Sequence, residues 1–69
     1  GIIVAQIPGT VLTFNVSVRD SVNVGDKLMV LEAMKMENVI TAGASGSVQA
    51  VHVTVSDKVV AGQLMMEIA

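Results

Sequence analysis

The chain consists of two halves that resemble each other. Shifting the 69-residue sequence by 37 places lays residues 1–32 over residues 38–69. Identical residues then meet at ten aligned pairs: Ile3/Ile40, Ala5/Ala42, Gly9/Gly46, Val11/Val48, Val16/Val53, Val18/Val55, Asp20/Asp57, Val22/Val59, Gly25/Gly62 and Met29/Met66. Only residues 33–37 lie outside the repeat, and Lys35 is the central residue, with 34 residues on each side. We therefore predict a duplicated framework that displays Lys35 at its pivot.

Alternating apolar and polar residues predict β-strands in both halves. Residues 12–18 alternate strictly, and residues 51–55 repeat the pattern in the second half. The fourteen valines favour a pleated, half-buried surface, whereas no stretch shows a convincing helical period. The positions predicted to face inward are Leu12, Phe14, Val16, Val18, Val51, Val53 and Val55.

Shorter apolar segments and turn residues complete the strand pattern. Further strands are predicted at residues 2–6, 28–32, 36–41 and 64–68. Pro8-Gly9 and Ser45-Gly46 mark turns, and the aligned Gly25 and Gly62 fit turn positions with positive φ. We predict one all-β domain over residues 1–69, with six to eight short strands in a flattened barrel or sandwich of two pseudo-symmetric halves.

The segment around Lys35 is predicted to be a hairpin with Met34-Lys35 at its tip. Two-residue hairpins favour Asn-Gly because both central residues need positive φ, so Met-Lys would be strained by about 1–3 kcal/mol. In this register Glu32 faces Glu37, and opposed like charges destabilise a strand pair. Such departures from local preference are expected where function selects the residues.

Composition and motif content exclude several classes of function. Four basic residues against six acidic ones argue against a nucleic-acid partner, which needs clustered Lys and Arg. Apolar runs are far shorter than the roughly 20 residues that span a bilayer, and no signal-peptide pattern opens the chain. The sequence has no cysteine, metal cluster, phosphate loop or Ser/His/Asp set. We predict a domain that is not itself catalytic.

Several residues have simpler structural interpretations. Three methionines are predicted to fill the core: Met29, Met65 and Met66. Asp20 and Asp57 occupy equivalent positions and are predicted to form turns rather than a carboxylate pair. His52 lies on the polar face of its predicted strand and is expected to be exposed, without a role as ligand or base.

The central segment resembles the signature of the biotinyl domains, the carboxyl-carrier modules of biotin-dependent carboxylases, decarboxylases and transcarboxylases. Residues 32–38 read Glu-Ala-Met-Lys-Met-Glu-Asn, which matches the Glu-Ala-Met-Lys-Met signature of that family. Segments 8–11, 24–28 and 45–48 are also similar to family segments, so the resemblance covers nearly the whole chain. Gln6 departs from a proline common in the family, and residues 15–20 are too few for the thumb insertion of bacterial acetyl-CoA carboxylase carriers. The chain resembles the thumbless members.

The resemblance implies a fold, a cofactor and partners. The family fold has two four-stranded antiparallel sheets related by a pseudo-twofold axis, with the lysine on a hairpin. Lys35 would carry biotin as an amide, flanked by Met34 and Met36, with Glu32, Ala33 and Glu37 as recognition context. The expected partners are a biotin protein ligase, a biotin carboxylase, and a carboxyltransferase or decarboxylase. No membrane insertion is expected. The expected location is the cytoplasm or mitochondrial matrix, or docked on a membrane-bound decarboxylase.

Two other functions fit the same pattern less well. Lipoyl domains of 2-oxo-acid dehydrogenase complexes also present a lysine on a hairpin. They usually carry an acidic residue before the lysine and a small one after it, whereas methionines flank Lys35. An unmodified β-sandwich interaction module would leave the strained Met34-Lys35 tip unexplained.

Overall fold

The computed structural model describes all 69 residues, Gly1–Ala69. It contains eight strands and no helix: β1 (Ile2–Val4), β2 (Gly9–Phe14), β3 (Ser21–Val22), β4 (Lys27–Ala33), β5 (Met36–Thr41), β6 (Gly46–Val51), β7 (Lys58–Val59) and β8 (Leu64–Ile68). The structure has no helix that is long and apolar enough to cross a membrane. The prediction of an all-β chain is confirmed.

The strands form two four-stranded antiparallel sheets that repeat each other. One sheet has the order β1-β8-β6-β3 and the other β5-β4-β2-β7. Adding 37 to the residue numbers converts β2 and β3 into β6 and β7, places β1 on the last three residues of β5, and makes β4 overlap β8. The same operation therefore turns one sheet order into the other, and the predicted pseudo-symmetric sandwich is confirmed.

The irregularities of the two sheets are also duplicated. The register shifts between Val11 and Thr13 in the β2/β4 pairing, and between Val48 and Ala50 in the equivalent β6/β8 pairing. A β-bulge bends its strand and increases the local twist. Placing a bulge at the same point of each repeat lets both sheets curve around one core.

Equivalent turns follow β2 and β6. The carboxylate Oδ2 of Asp20 accepts a hydrogen bond from the Ser17 backbone N–H, and that of Asp57 accepts one from Thr54, each at 2.9 Å. Arg19 and Ser56 occupy the left-handed region with φ of 81° and 77°. The prediction that both aspartates form turns is confirmed.

The core lies between the two sheets. It is built from thirteen apolar residues contributed by both halves: Ala5, Val11, Val22, Leu28, Met29, Leu31, Ala42, Val48, Val53, Val59, Met65, Met66 and Ile68. No polar or charged side chain is buried. The prediction that Met29, Met65 and Met66 fill the core is confirmed, since each has no exposed surface.

The predicted strands at 12–18 and 51–55 are partly wrong. β2 ends at Phe14 and β6 ends at Val51, and the chain then enters the aspartate turns. Val18 and Val55 lie in those turns and are about half exposed, at 48% and 53%, whereas Val53 is buried. The prediction extends past the strand ends because the residues leading into the two turns continue the alternation of apolar and polar side chains.

Some strand bounds also differ from the sequence prediction. The first strand ends at Val4 rather than at residue 6, and the backbone of Ala5 then hydrogen-bonds to Gln63 and Gly62 in the turn before β8. The strand at 64–68 is confirmed, and β4 extends the predicted 28–32 by one residue at each end. His52 is exposed as predicted, and its Nε2 lies 2.6 Å from Oε2 of Glu67.

Replacing Val53 with Ala should lower the free energy of unfolding by about 2 kcal/mol, because it removes two buried methyl groups and leaves a cavity. Val55→Ala is the matched control, since the same change at this half-exposed residue of the same segment should stay within about 0.5 kcal/mol. Urea denaturation of both variants measures the difference. Equal losses at the two positions would contradict the difference in burial between Val53 and Val55.

Candidate functional site

Lys35 lies at the tip of the hairpin that joins β4 and β5. The two strands pair from Lys27 opposite Thr41 up to Ala33 opposite Met36, which closes the loop. Met34 and Lys35 are the two loop residues, with φ of 54° and 63°. Positive φ at both central residues is the signature of a type I′ turn. The predicted two-residue hairpin is confirmed.

The turn is strained but firmly anchored. A non-glycine residue in the left-handed region costs about 1–2 kcal/mol, and Met34 and Lys35 both occupy it. The strand below the turn supplies the anchor, because the four consecutive residues 28–31 of β4 are all buried. β4 also pairs with a strand on each side, β2 and β5. A strained conformation persists where the surrounding structure over-determines it in this way.

The tip side chains project into solvent. Lys35 is exposed and makes no hydrogen bond or ion pair within the chain. Met34 is 83% exposed and Met36 is 63% exposed. In contrast, Ala33 is 4% exposed at the base of the hairpin. The site is therefore a free amine between two exposed thioethers on a packed base.

A row of polar side chains crosses the sheet directly below the tip. Lys58 of β7 pairs with Thr10 of β2, Thr10 pairs with Glu32, and Glu32 pairs with Glu37. Directly opposed residues of antiparallel strands project to the same face, with Cβ atoms about 4.5–5.5 Å apart. The predicted juxtaposition of Glu32 and Glu37 is confirmed. Lys58 lies two strands, or about 10 Å, from Glu32 and forms no ion pair with it.

Gly9 allows β2 to approach the base of the hairpin. A Cβ atom at this position would lie 2.6 Å from the Glu32 carbonyl oxygen and 3.2 Å from the Ala33 Cβ. Sequence reasoning assigned Gly9 only to a turn, whereas it is the first residue of β2 and packs beside the site. Pro8-Gly9 is a common turn dipeptide, so the residue pattern indicates only a turn. The second role of Gly9 depends on its contact with Glu32 and Ala33, which are distant in sequence.

Asn38 is a further site residue that sequence reasoning left without a role. Its side-chain Nδ2 donates a hydrogen bond to the Met36 carbonyl oxygen at 3.2 Å and lies 3.5 Å from the carbonyl oxygen of Ala33. The amide therefore braces the pair of residues that closes the turn. The only feature of the sequence that could have pointed to this role of Asn38 is its place at the end of the central segment, residues 32–38.

The ends of the chain lie away from the hairpin. Under the 37-residue repeat, Gly1 is equivalent to Asn38 and Ala69 to Glu32, so the termini occupy the pseudo-symmetric counterpart of the hairpin base. The N-terminal amine contacts the Ile68 carbonyl oxygen, and Ala69 exchanges backbone hydrogen bonds with Ser47. Both termini therefore hydrogen-bond to strands of the sheet that does not contain the hairpin.

Comparison with known proteins decides the family. The model of the family described as biotin-requiring enzyme, which groups biotin and lipoyl domains, matches residues 3–68. The chain belongs to this family. It is 49% identical over 65 residues to the biotin carboxyl carrier protein of Streptococcus mutans, a match that covers 94% of this chain and 50% of that protein.

Two other relatives are large carboxylases. The propionyl-CoA carboxylase alpha chain of Homo sapiens is 41% identical, with 93% of this chain and 9% of that protein covered. The pyruvate carboxylase of Bacillus subtilis is 42% identical, with 96% and 6% covered. The chain thus spans half the length of the Streptococcus mutans relative and under a tenth of these carboxylases.

Solved structures agree with the fold. The Kluyveromyces lactis urea carboxylase matches with a TM-score of 0.94 at 32% identity, covering all of this chain and 6% of that chain. A single-chain, multi-domain long-chain acyl-CoA carboxylase matches with a TM-score of 0.89 at 32% identity, covering 96% and 7%. The predicted resemblance to biotinyl domains is confirmed, and the lipoyl alternative is not favoured.

Replacing Lys35 with Gly should raise the free energy of unfolding by about 0.5–1 kcal/mol, because glycine adopts the left-handed turn conformation without the Cβ clash. Lys58→Gly is the matched control. This lysine lies in a strand, where glycine costs about 0.5–1 kcal/mol, so the sign should reverse. Chemical denaturation measures both changes, and a loss of stability at Lys35 would contradict the strained turn.

Proposed function

We propose that this domain is a biotin carboxyl carrier and that Lys35 is its attachment residue. The proposal rests on one observation above all: the exposed amine of Lys35 stands in a type I′ turn within Glu-Ala-Met-Lys-Met. An amine on a long flexible stem is suited to form a stable amide. Nothing in the chain pairs with this amine or covers it, so the site fits an acyl group of any length.

Attachment is an acyl transfer onto Nζ of Lys35. The amine attacks the carbonyl carbon of an activated biotinyl group, the bond to the activating group breaks, and Nζ loses a proton. A biotin protein ligase must present that activated acyl group, because the domain contains no catalytic set of its own. Conversion of the ammonium to an amide changes the formal net charge from −2 (four basic minus six acidic residues) to −3 (three minus six).

The attached biotin supplies a ring that holds carboxylate between two active sites. The domain contributes a rigid base for this arm: the buried β4 fixes the hairpin, and Ala33, Gly9 and Asn38 pack or brace the residues beneath it. Tethering raises the effective concentration of the carrier at each partner site.

The proposed partners follow from the named relatives, several of which are carboxylases. The domain would serve a biotin carboxylase on one side and a carboxyltransferase or decarboxylase on the other. Met34 and Met36 would supply adaptable apolar contacts to these proteins and to the ligase. Glu32 and Glu37 would supply charged recognition on the outer face of the sheet. Bacterial and mitochondrial relatives fit a cytoplasmic or matrix location, with docking on a membrane-bound decarboxylase as the further option.

Lys35→Arg should abolish acylation by a biotin protein ligase supplied with biotin and ATP, because the guanidinium keeps the charge but lacks the nucleophilic amine. Lys27→Arg and Lys58→Arg are matched controls and should accept one biotin, as the unaltered chain does. Intact-mass measurement counts the added groups, and ion exchange should show one added negative charge. Acylation of the Lys35→Arg variant, or none of the unaltered chain, would refute the proposal.

A further inference from the structure

The five methionines of the chain fall into two classes. Met29, Met65 and Met66 have no exposed surface and lie in the core. Met34 and Met36 are 83% and 63% exposed, and they flank Lys35 on both sides. The division is sharp, since no methionine has intermediate exposure. Solvent therefore reaches the thioethers only at the hairpin tip.

We propose that Met34 and Met36 form an oxidation-sensitive pair, and that their conversion to sulfoxides by peroxide slows acylation of Lys35. The inference rests on the proposed function of Lys35. It assigns to the two methionines a regulatory modification in addition to their contact role.

The chemistry needs only a peroxide as the oxidant. A lone pair on Sδ attacks one peroxide oxygen, an S–O bond forms, and the O–O bond breaks. The departing hydroxide takes the proton of the new S–OH group and leaves as water. The sulfur loses two electrons to the peroxide, and the product is methionine sulfoxide, which methionine sulfoxide reductases return to the thioether.

Burial separates the reactive sulfurs from the inert ones. The three core methionines are enclosed between the two sheets, so peroxide reaches them only when the domain opens. The tip methionines need no opening. Their oxidation also leaves the turn intact, because the strained backbone at Met34 and Lys35 is held by strand pairing and the Asn38 amide, and not by the exposed thioethers.

Oxidation changes the character of the whole tip. Within residues 32–37, the only apolar side chains are those of Met34, Met36 and the buried Ala33. The remaining residues are Glu32, Lys35 and Glu37, all exposed and charged. A sulfoxide replaces a flexible apolar thioether with a polar group, so the oxidised tip offers no exposed apolar surface to a ligase.

The test begins with the rates of oxidation in the 69-residue chain. The unmodified chain is treated with dilute hydrogen peroxide, and peptide mapping by mass spectrometry follows each methionine. Met34 and Met36 should oxidise roughly tenfold or more faster than the three core methionines, because rate follows exposure. Similar rates at tip and core would overturn the proposal.

The second measurement is acylation of the oxidised chain by a biotin protein ligase. The kcat/KM for the oxidised chain should fall about tenfold, the effect of one polar group forced into an apolar contact. Treatment with methionine sulfoxide reductases should restore it. An unchanged kcat/KM after complete oxidation of Met34 and Met36 would overturn the inference, as would a loss that the reductases fail to reverse.

Met34→Leu combined with Met36→Leu is the control variant, compared only with itself before and after peroxide. Because leucine has no sulfur, the kcat/KM of this double variant should not change on treatment. A fall equal to that of the parent chain would show damage elsewhere and overturn the proposal.

The untreated parent chain separates the two hypotheses. If it accepts no biotin, the proposed function fails and this inference falls with it. If it accepts biotin and oxidation has no effect, only this inference fails.

Discussion

The pairing of β4 with β5 is the constraint on which the rest of the site depends. Four consecutive buried residues fix β4 in the core, and strand partners on both sides fix its register. The strand pair then closes at Ala33 opposite Met36, which leaves two residues for the turn. Met34 and Lys35 both adopt positive φ, as in a type I′ turn, whose twist matches that of the flanking strands. The exposure of Lys35 is therefore a consequence of core packing.

The internal duplication explains how so small a chain supports a strained turn. Strand order, bulges and aspartate turns recur after 37 residues, so each stabilising device is present twice. The turn of the hairpin is the one segment without a counterpart, because the chain termini occupy the equivalent position. The symmetric framework provides stability, and the only asymmetric segment carries the residues that a partner would recognise.

Much of the fold was predictable because its signals are local or repeated. The repeat indicated two equivalent halves, and the non-Gly turn at Met34-Lys35 indicated a functional hairpin. The strand ends near Val18 and Val55 are mispredicted because the aspartate turns continue the alternation of apolar and polar residues beyond the ends of β2 and β6. The contact of Gly9 with Glu32 and the brace from Asn38 depend on register between strands, which the residue pattern does not specify. Sequence thus identified the lysine, whereas its support required the structure.

The central claim is that the position of the lysine in the turn, and not its mere presence, makes it an attachment site. Exchanging Met34 and Lys35 tests this most directly, because the variant keeps the composition, the net charge and both left-handed positions. Acylation by a biotin protein ligase is then measured by intact mass on the folded variant. The expected result is a folded domain that accepts no biotin at residue 34. Acylation there at the rate of the unaltered chain would contradict the claim.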